Sequence, residues 1–315
     1  MARTVIPPAH SPNPTRALVR KGAGVLPFSK GVLVQSLMAT AMDPLEAFEI
    51  ASGIEEEIAR EGHAEFDSSD LRERIAVVLE RVAGSELAGR YRLWRRYAEP
   101  DQPVILLLGG TSGVGKSSLA VEVARRLGIA RVLSTDSIRQ IMRMMTSSEL
   151  VPALYGSSYD AWRLMPPNGD HPPGVIEGFR AQASAVSLGI RASIDRTISE
   201  SSNLVIDGVS IVPGDPALEV FGERAHVVPL VVATLDEASL RDRFRVRAGG
   251  QRERLADRYL VNLDAILEIQ RHLLEQAERC GVPVVDNSDF ERSVRQVIEY
   301  TSQCILSREK DAGMP

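Results

Sequence analysis

Eight consecutive residues, Gly110-Thr111-Ser112-Gly113-Val114-Gly115-Lys116-Ser117, have types and spacing suited to gripping a polyphosphate. Small residues let successive backbone N–H groups curl around phosphate oxygens. Lys116 reaches the β and γ oxygens, and the Ser117 hydroxyl, with Ser118 beside it, ligates Mg²⁺. Any Gly-rich turn between a strand and a helix imitates part of this pattern. Here Gly-Lys-Ser is in register, the apolar run Val104-Ile105-Leu106-Leu107-Leu108 precedes it and an amphipathic segment follows. The stretch is therefore a Walker A loop between a buried strand and a helix N-terminus, whose dipole adds further pull on an anion. ATP or GTP with Mg²⁺ is the expected ligand.

A loop of this kind needs carboxylates and cations around it. Arg131-Val132-Leu133-Ser134 reads as a short strand ending at Thr135-Asp136, and such strand ends in an open α/β sheet are where ligands sit. Asp136 is thus a candidate to orient or deprotonate an acceptor hydroxyl, and Arg139, with Arg143 one turn on, to hold an acidic group. The alternatives are an N-cap for Asp136 and a solvated face for the arginines. The same helix, read as beginning at Ser137, is expected to bury Ile138, Ile141, Met142 and Met145. Asn203 to Gly208 reads as a buried strand ending in Asp207, a Walker B-like carboxylate expected to act on Mg²⁺ through a water.

The rest of this region must position those groups. Val151 to Pro173 is irregular, with Tyr155, Tyr159, Trp162 and four prolines in its second half, and reads as a substrate cover containing Tyr159 as a contact. Val175 to Ser199 is a long helix, His226 to Thr234 a fourth strand and Val282 to Val285 a fifth, ending near Asn287, where such folds often hold adenine. Between the last two strands lie Arg241, Arg243, Arg245, Arg247, Arg252, Arg254 and Arg258. Guanidinium forks fit phosphate oxygens, so residues 241–258 read as a lid. Within it, Arg243 and Arg247 would stabilise the transition state, and Arg252 and Arg254 would bind substrate.

The 315 residues are enough for two domains. Residues 1–15 carry four prolines and read as a flexible leader, 16–98 as a small, mostly helical domain, and 103–308 as the phosphate-binding domain, with a proline-bounded hinge between. Leu71, Ile75, Val78, Leu79 and Val82 mark one buried helix face of the smaller domain. A net charge of −5 argues against nucleic acid as a partner, and no apolar run approaches a membrane span. Cys280 and Cys304 lack C-x-x-C spacing and no secretory signal accompanies them, so a cytoplasmic home is expected. Homo-oligomerisation is left open.

Two resemblances extend this reading. Val19-Arg20-Lys21-Gly22, Pro27-Phe28-Ser29, Ala47 to Ile58 and Ala88-Gly89-Arg90-Tyr91 resemble the ATP-cone, a regulatory nucleotide-binding module; that likeness would turn Arg20, Lys21 and Lys30 toward a nucleotide. The Walker A stretch, Ser134-Thr135-Asp136-Ser137-Ile138-Arg139, Leu154 to Tyr159, and Val205-Ile206-Asp207-Gly208-Val209 to Pro213-Gly214 follow in the order seen in archaeal-type 2-phosphoglycerate kinases. Membership implies an α/β fold: a P-loop kinase-type five-stranded parallel sheet flanked by helices, preceded by the cone-like domain. It also implies transfer of the γ-phosphoryl group of ATP, with Mg²⁺, to the 3-hydroxyl of a small anionic substrate, 2-phosphoglycerate. Rival readings are a kinase for another phosphorylated hydroxy acid or sugar derivative, and an ATP-sensing regulatory protein.

Overall fold

A computed structural model describes residues 17–60, 65–97, 100, 102–167, 171–248 and 258–311. The proline-rich leader, part of the hinge and residues 249–257 of the expected lid lie outside the described residues. The chain divides after Arg92 into two compact units.

In the first unit, β1 (Leu18–Lys21) pairs antiparallel with β2 (Gly24–Pro27) and parallel with β3 (Glu65–Asp67). The two-residue turn between β1 and β2 is made by Gly22 at φ 58°, a left-handed conformation that glycine takes without strain. Among the described residues the hairpin is followed by α1 (Lys30–Met38), α2 (Pro44–Arg60), α3 (Ser68–Ala83) and α4 (Ser85–Arg96), the last of which runs past Arg92. Ser29 and Asp67 cap α1 and α3 by accepting from the backbone N–H groups of Val32 and Ser69. Leu33, Leu37, Ile54, Leu71, Ile75 and Leu79 form the centre of its core. Val82, expected on the buried face, is 55% exposed. Of the basic residues a cone would turn to a nucleotide, Arg20 is paired with Glu65 at 2.8 Å. Lys30 is paired with Glu55 at 3.1 Å and lies over the Phe48 ring.

The second unit is a five-stranded parallel sheet of β4 (Val104–Gly109), β5 (Arg131–Ser134), β6 (Leu204–Gly208), β7 (His226–Ala233) and β8 (Val284–Asp286), in the order β5-β6-β4-β7-β8. β4 is central and wholly buried, which is why it reads as an unbroken apolar run. The helices are α5 (Lys116–Leu127), α6 (Thr135–Met145), α7 (Val175–Ser199), α8 (Pro216–Glu219), α9 (Glu237–Ala248), α10 (Leu263–Cys280) and α11 (Phe290–Asp311). Gly109 pairs with Gly208 and Ser134 with Asp207, so β4, β5 and β6 end side by side and deliver their loops to one edge of the sheet. No helix among the described residues is long and apolar enough to cross a membrane.

Three local expectations need correction. α6 begins at Thr135, not Ser137, because the Ser134 hydroxyl accepts from the Ser137 N–H and caps the helix there; Asp136 sits inside the first turn and is not the cap. Ile141 and Met145 are 61% and 83% exposed. α6 meets α7 along Ile138 and Met142, one turn apart, which close on Gly189 so tightly that a Cβ there would lie 2.4 Å from Ile138. The irregular stretch after residue 150 contains two 3₁₀ turns, Pro152–Tyr155 and Ala161–Leu164.

Candidate active site

The Walker A loop is held by its surroundings as much as by its glycines. Gly113 and Gly115 have φ of 91° and 84°. A Cβ at Gly113 would lie 2.4 Å from the Phe244 ring, and one at Gly115 2.6 Å from Asn287 Nδ2. Only glycine meets both demands. A cavity of about 180 Å³ opens over the loop, lined by Ser112, Gly113 and Gly115 through Ser118, together with Asp136 and Tyr259. Lys116 Nζ donates to the Thr111 carbonyl at 3.3 Å. Gly110 and Thr111 form the base: Gly110 abuts the Val232 carbonyl, and Thr111 is buried with its hydroxyl 3.4 Å from Gln270 Oε1.

The Ser117 hydroxyl donates to Asp207 Oδ2 at 2.5 Å, joining the Walker A helix to the end of β6. Asp207 is buried, and desolvation holds its carboxyl above the usual carboxylate range. The charge of Asp136 pushes the same way, while the Ser117 bond and Lys116 oppose it. Among the described residues, no group of three or more His, Cys, Asp or Glu could hold a metal unaided. One hydroxyl and one carboxylate beside a phosphate cradle fit Mg²⁺, which takes few protein ligands and completes its shell with phosphate oxygens and water.

On the acceptor side, Asp136 is 75% exposed, with Arg139 Nη2 3.4 Å from its carboxylate. The Arg139 side chain is only 12% exposed. Its Nη1 donates to the carbonyls of Leu154 and Gly156 at 3.1 and 3.0 Å, so one nitrogen of the guanidinium fixes the first 3₁₀ turn. Buried Gln182 on α7 donates to the carbonyls of Ala153 and Gly156. Arg143 is stacked over the Tyr155 ring at 5.6 Å, and Tyr155 donates to the carbonyls of Arg143 and Thr146. Tyr159 is 3% exposed, lies edge-on to Tyr259 with centroids 6.0 Å apart, and burial pushes its phenol up.

Asn287 donates through Nδ2 to the Val114 carbonyl at 2.8 Å. Arg243 donates to the same carbonyl at 3.2 Å and to the carbonyl of Asn287. Both brace the Walker A loop through the Val114 carbonyl, a buried acceptor that needs donors. Neither lines the cavity. The Arg247 side chain, Arg252 and Arg254 lie outside the described residues. Tyr259, Phe244, Gln182 and Gln270 are the site residues no motif announced. Each acts through a long-range contact, and none sits in a local pattern that marks it.

A Walker A loop, a strand-end carboxylate bonded to its serine and a second carboxylate at the neighbouring strand end, on a parallel sheet of this order, define a P-loop phosphotransferase. No family model matches the chain. A 2-phosphoglycerate kinase of Methanopyrus kandleri is 38% identical over 287 residues, covering 91% of this chain and 87% of that protein. One of Pyrococcus horikoshii is 36% identical over 298 residues, covering 94% and 97%. The chain belongs to the 2-phosphoglycerate kinase family. Among solved structures, a gluconokinase of Sinorhizobium meliloti covers 68% of this chain and 99% of its own at 15% identity, with a TM-score of 0.37, a likeness too distant to carry weight.

Proposed function

We propose that this protein transfers the γ-phosphoryl group of ATP to the 3-hydroxyl of 2-phosphoglycerate, producing 2,3-bisphosphoglycerate and ADP. The observation that carries the reading is the single cavity shared by Lys116, Ser117 and Asp136, in a chain that matches 2-phosphoglycerate kinases over nine-tenths of its length. The Walker A amides and Lys116 hold the β and γ phosphates. Ser117 and Asp207 would hold Mg²⁺, which would supply positive charge to offset that of the phosphates. Asp136, exposed in the cavity lining, orients the acceptor hydroxyl and accepts its proton. The new O–P bond forms as the β–γ bridging bond breaks, in line. Arg247, Arg252 and Arg254 of the lid are assigned to the acceptor's phosphate and carboxylate and to the transferring group.

The test is incubation with Mg-ATP and a panel of phosphorylated hydroxy acids and sugar derivatives, following ADP and identifying products. Phosphorylation of 2-phosphoglycerate at its 3-hydroxyl, in preference to the other members, is the expected result. ADP release at the same rate with and without every acceptor would refute it in favour of a nucleotide-sensing protein.

A further inference from the structure

We infer that Tyr259 is an acceptor-positioning residue, its phenol donating a hydrogen bond to a phosphate oxygen of the acceptor, which rests on the functional reading above. Among the described residues, Tyr259 is the one aromatic side chain lining the cavity over the Walker A loop. Among the described residues its hydroxyl has no hydrogen-bond partner, although the ring beneath it is fixed from two directions. On one, it stacks on Phe244 with centroids 5.0 Å apart and planes 20° apart. Phe244 in turn lies against Gly113, so the ring is registered to the phosphate loop. On the other, its edge meets buried Tyr159 of the cover. The preceding residue, Arg258, is paired with Asp160 of the cover at 2.7 Å.

A side chain built only for packing would present a phenylalanine here, since the stack and the edge contact use the ring and not the oxygen. The hydroxyl instead stands as a neutral donor where the phosphate loop and the cover meet. The nucleotide side already has Lys116 and the loop amides, whereas the groups outside the loop that line the cavity are, among the described residues, Asp136 and Tyr259, and Asp136 is an anion that repels phosphate. A preoriented O–H supplies attraction there without a further charge, and an unmet donor in a partly desolvated site rejects acceptors that cannot accept from it.

The experiment is a comparison of Tyr259→Phe with wild type, measuring KM and kcat for both substrates. The ring contacts survive the change, so the variant is expected to melt as wild type does. The acceptor KM is expected to rise about tenfold or more, the loss of one hydrogen bond to a charged group, with the KM for ATP unchanged. An unchanged acceptor KM, or a change confined to ATP, overturns the assignment. The comparison is made on 2-phosphoglycerate, or on whichever panel member the wild type uses if it does not use that one. In the latter case the substrate assignment falls while the Tyr259 assignment is still decided by the same KM criterion. A wild type that phosphorylates none of them overturns both.

Discussion

On the phosphate side of the cavity the working groups sit on or beside consecutive residues: the loop that ends β4, the first turn of α5 and the end of β6. On the acceptor side they come from α6, a cover folded from two 3₁₀ turns, and the chain leading into α10. The two sides also differ in what their polar groups hold. Ser117, Lys116 and the loop glycines face the cavity, whereas Arg139 and Gln182 hold the cover's carbonyls, and Arg143 stacks on Tyr155. Phosphate is gripped by backbone shape, which a short motif can specify. The acceptor is met by a shaped loop, which only a set of distant contacts can specify.

The largest effect should come from the phosphate side. Lys116→Ala removes the cation that meets the β and γ oxygens, and a fall in kcat of about 10³-fold or more is expected. The fold should persist, since the loop backbone is braced by Arg243 and Asn287 through the Val114 carbonyl, donors that do not depend on the lysine. Steady-state rates alongside a thermal melt check this. Near-wild-type turnover would mean that the loop does not carry the reaction.

Asp207→Asn sharpens the contrast by separating activity from stability. Loss of the carboxylate should lower kcat by about 10²–10³-fold. Burial raises the Asp207 pKa, so between the ordinary carboxylate range and that raised value the native state binds more protons than the unfolded chain. Stability therefore falls as pH rises through that window, and the deficit persists above it. Asparagine can still accept the Ser117 hydroxyl without the buried charge. Metal-free Asp207→Asn is expected to melt higher than wild type at neutral pH, with a flatter pH dependence on the acid side. A lower midpoint would show that the Ser117–Asp207 bond outweighs desolvation.

What could be read in advance follows the same division. β4, the Walker A loop, β6 and α7 were legible because continuous apolar runs, the glycine spacing and long periodicity are local signals. Asp207 was legible because an apolar strand ends on it. For Asn287 and Arg243 the neighbourhood was legible but not their bonds to the Walker A loop: nothing local says that the Val114 carbonyl takes their donors. Ile141 and Met145 show the limit of periodicity. Their spacing fits a buried face, but α7 packs on the Ile138–Met142 stripe of α6, so that stripe is covered and its neighbour is left exposed. Tyr259 had no signature, since its place depends on Phe244 reaching Gly113 and on Tyr159 arriving from a residue 100 positions earlier in the chain.

Arg139→Ala probes the acceptor side directly, and its effect should be smaller. If Arg139 chiefly holds the cover, the loss of charged bonds to the Leu154 and Gly156 carbonyls should cost about 2 kcal/mol locally, softened because Gln182 still donates to Gly156. The expected signs are faster amide exchange across residues 152–164 and a rise of about tenfold in the acceptor KM, with the KM for ATP unaltered. Lysine should not restore either, because one ammonium cannot reproduce the fork that spans two carbonyls and the Asp136 carboxylate. If Arg139 instead binds the acceptor itself, KM rises while exchange in the cover stays as in wild type, and lysine recovers part of the loss. The exchange measurement thus decides whether this guanidinium shapes the cover or touches the substrate.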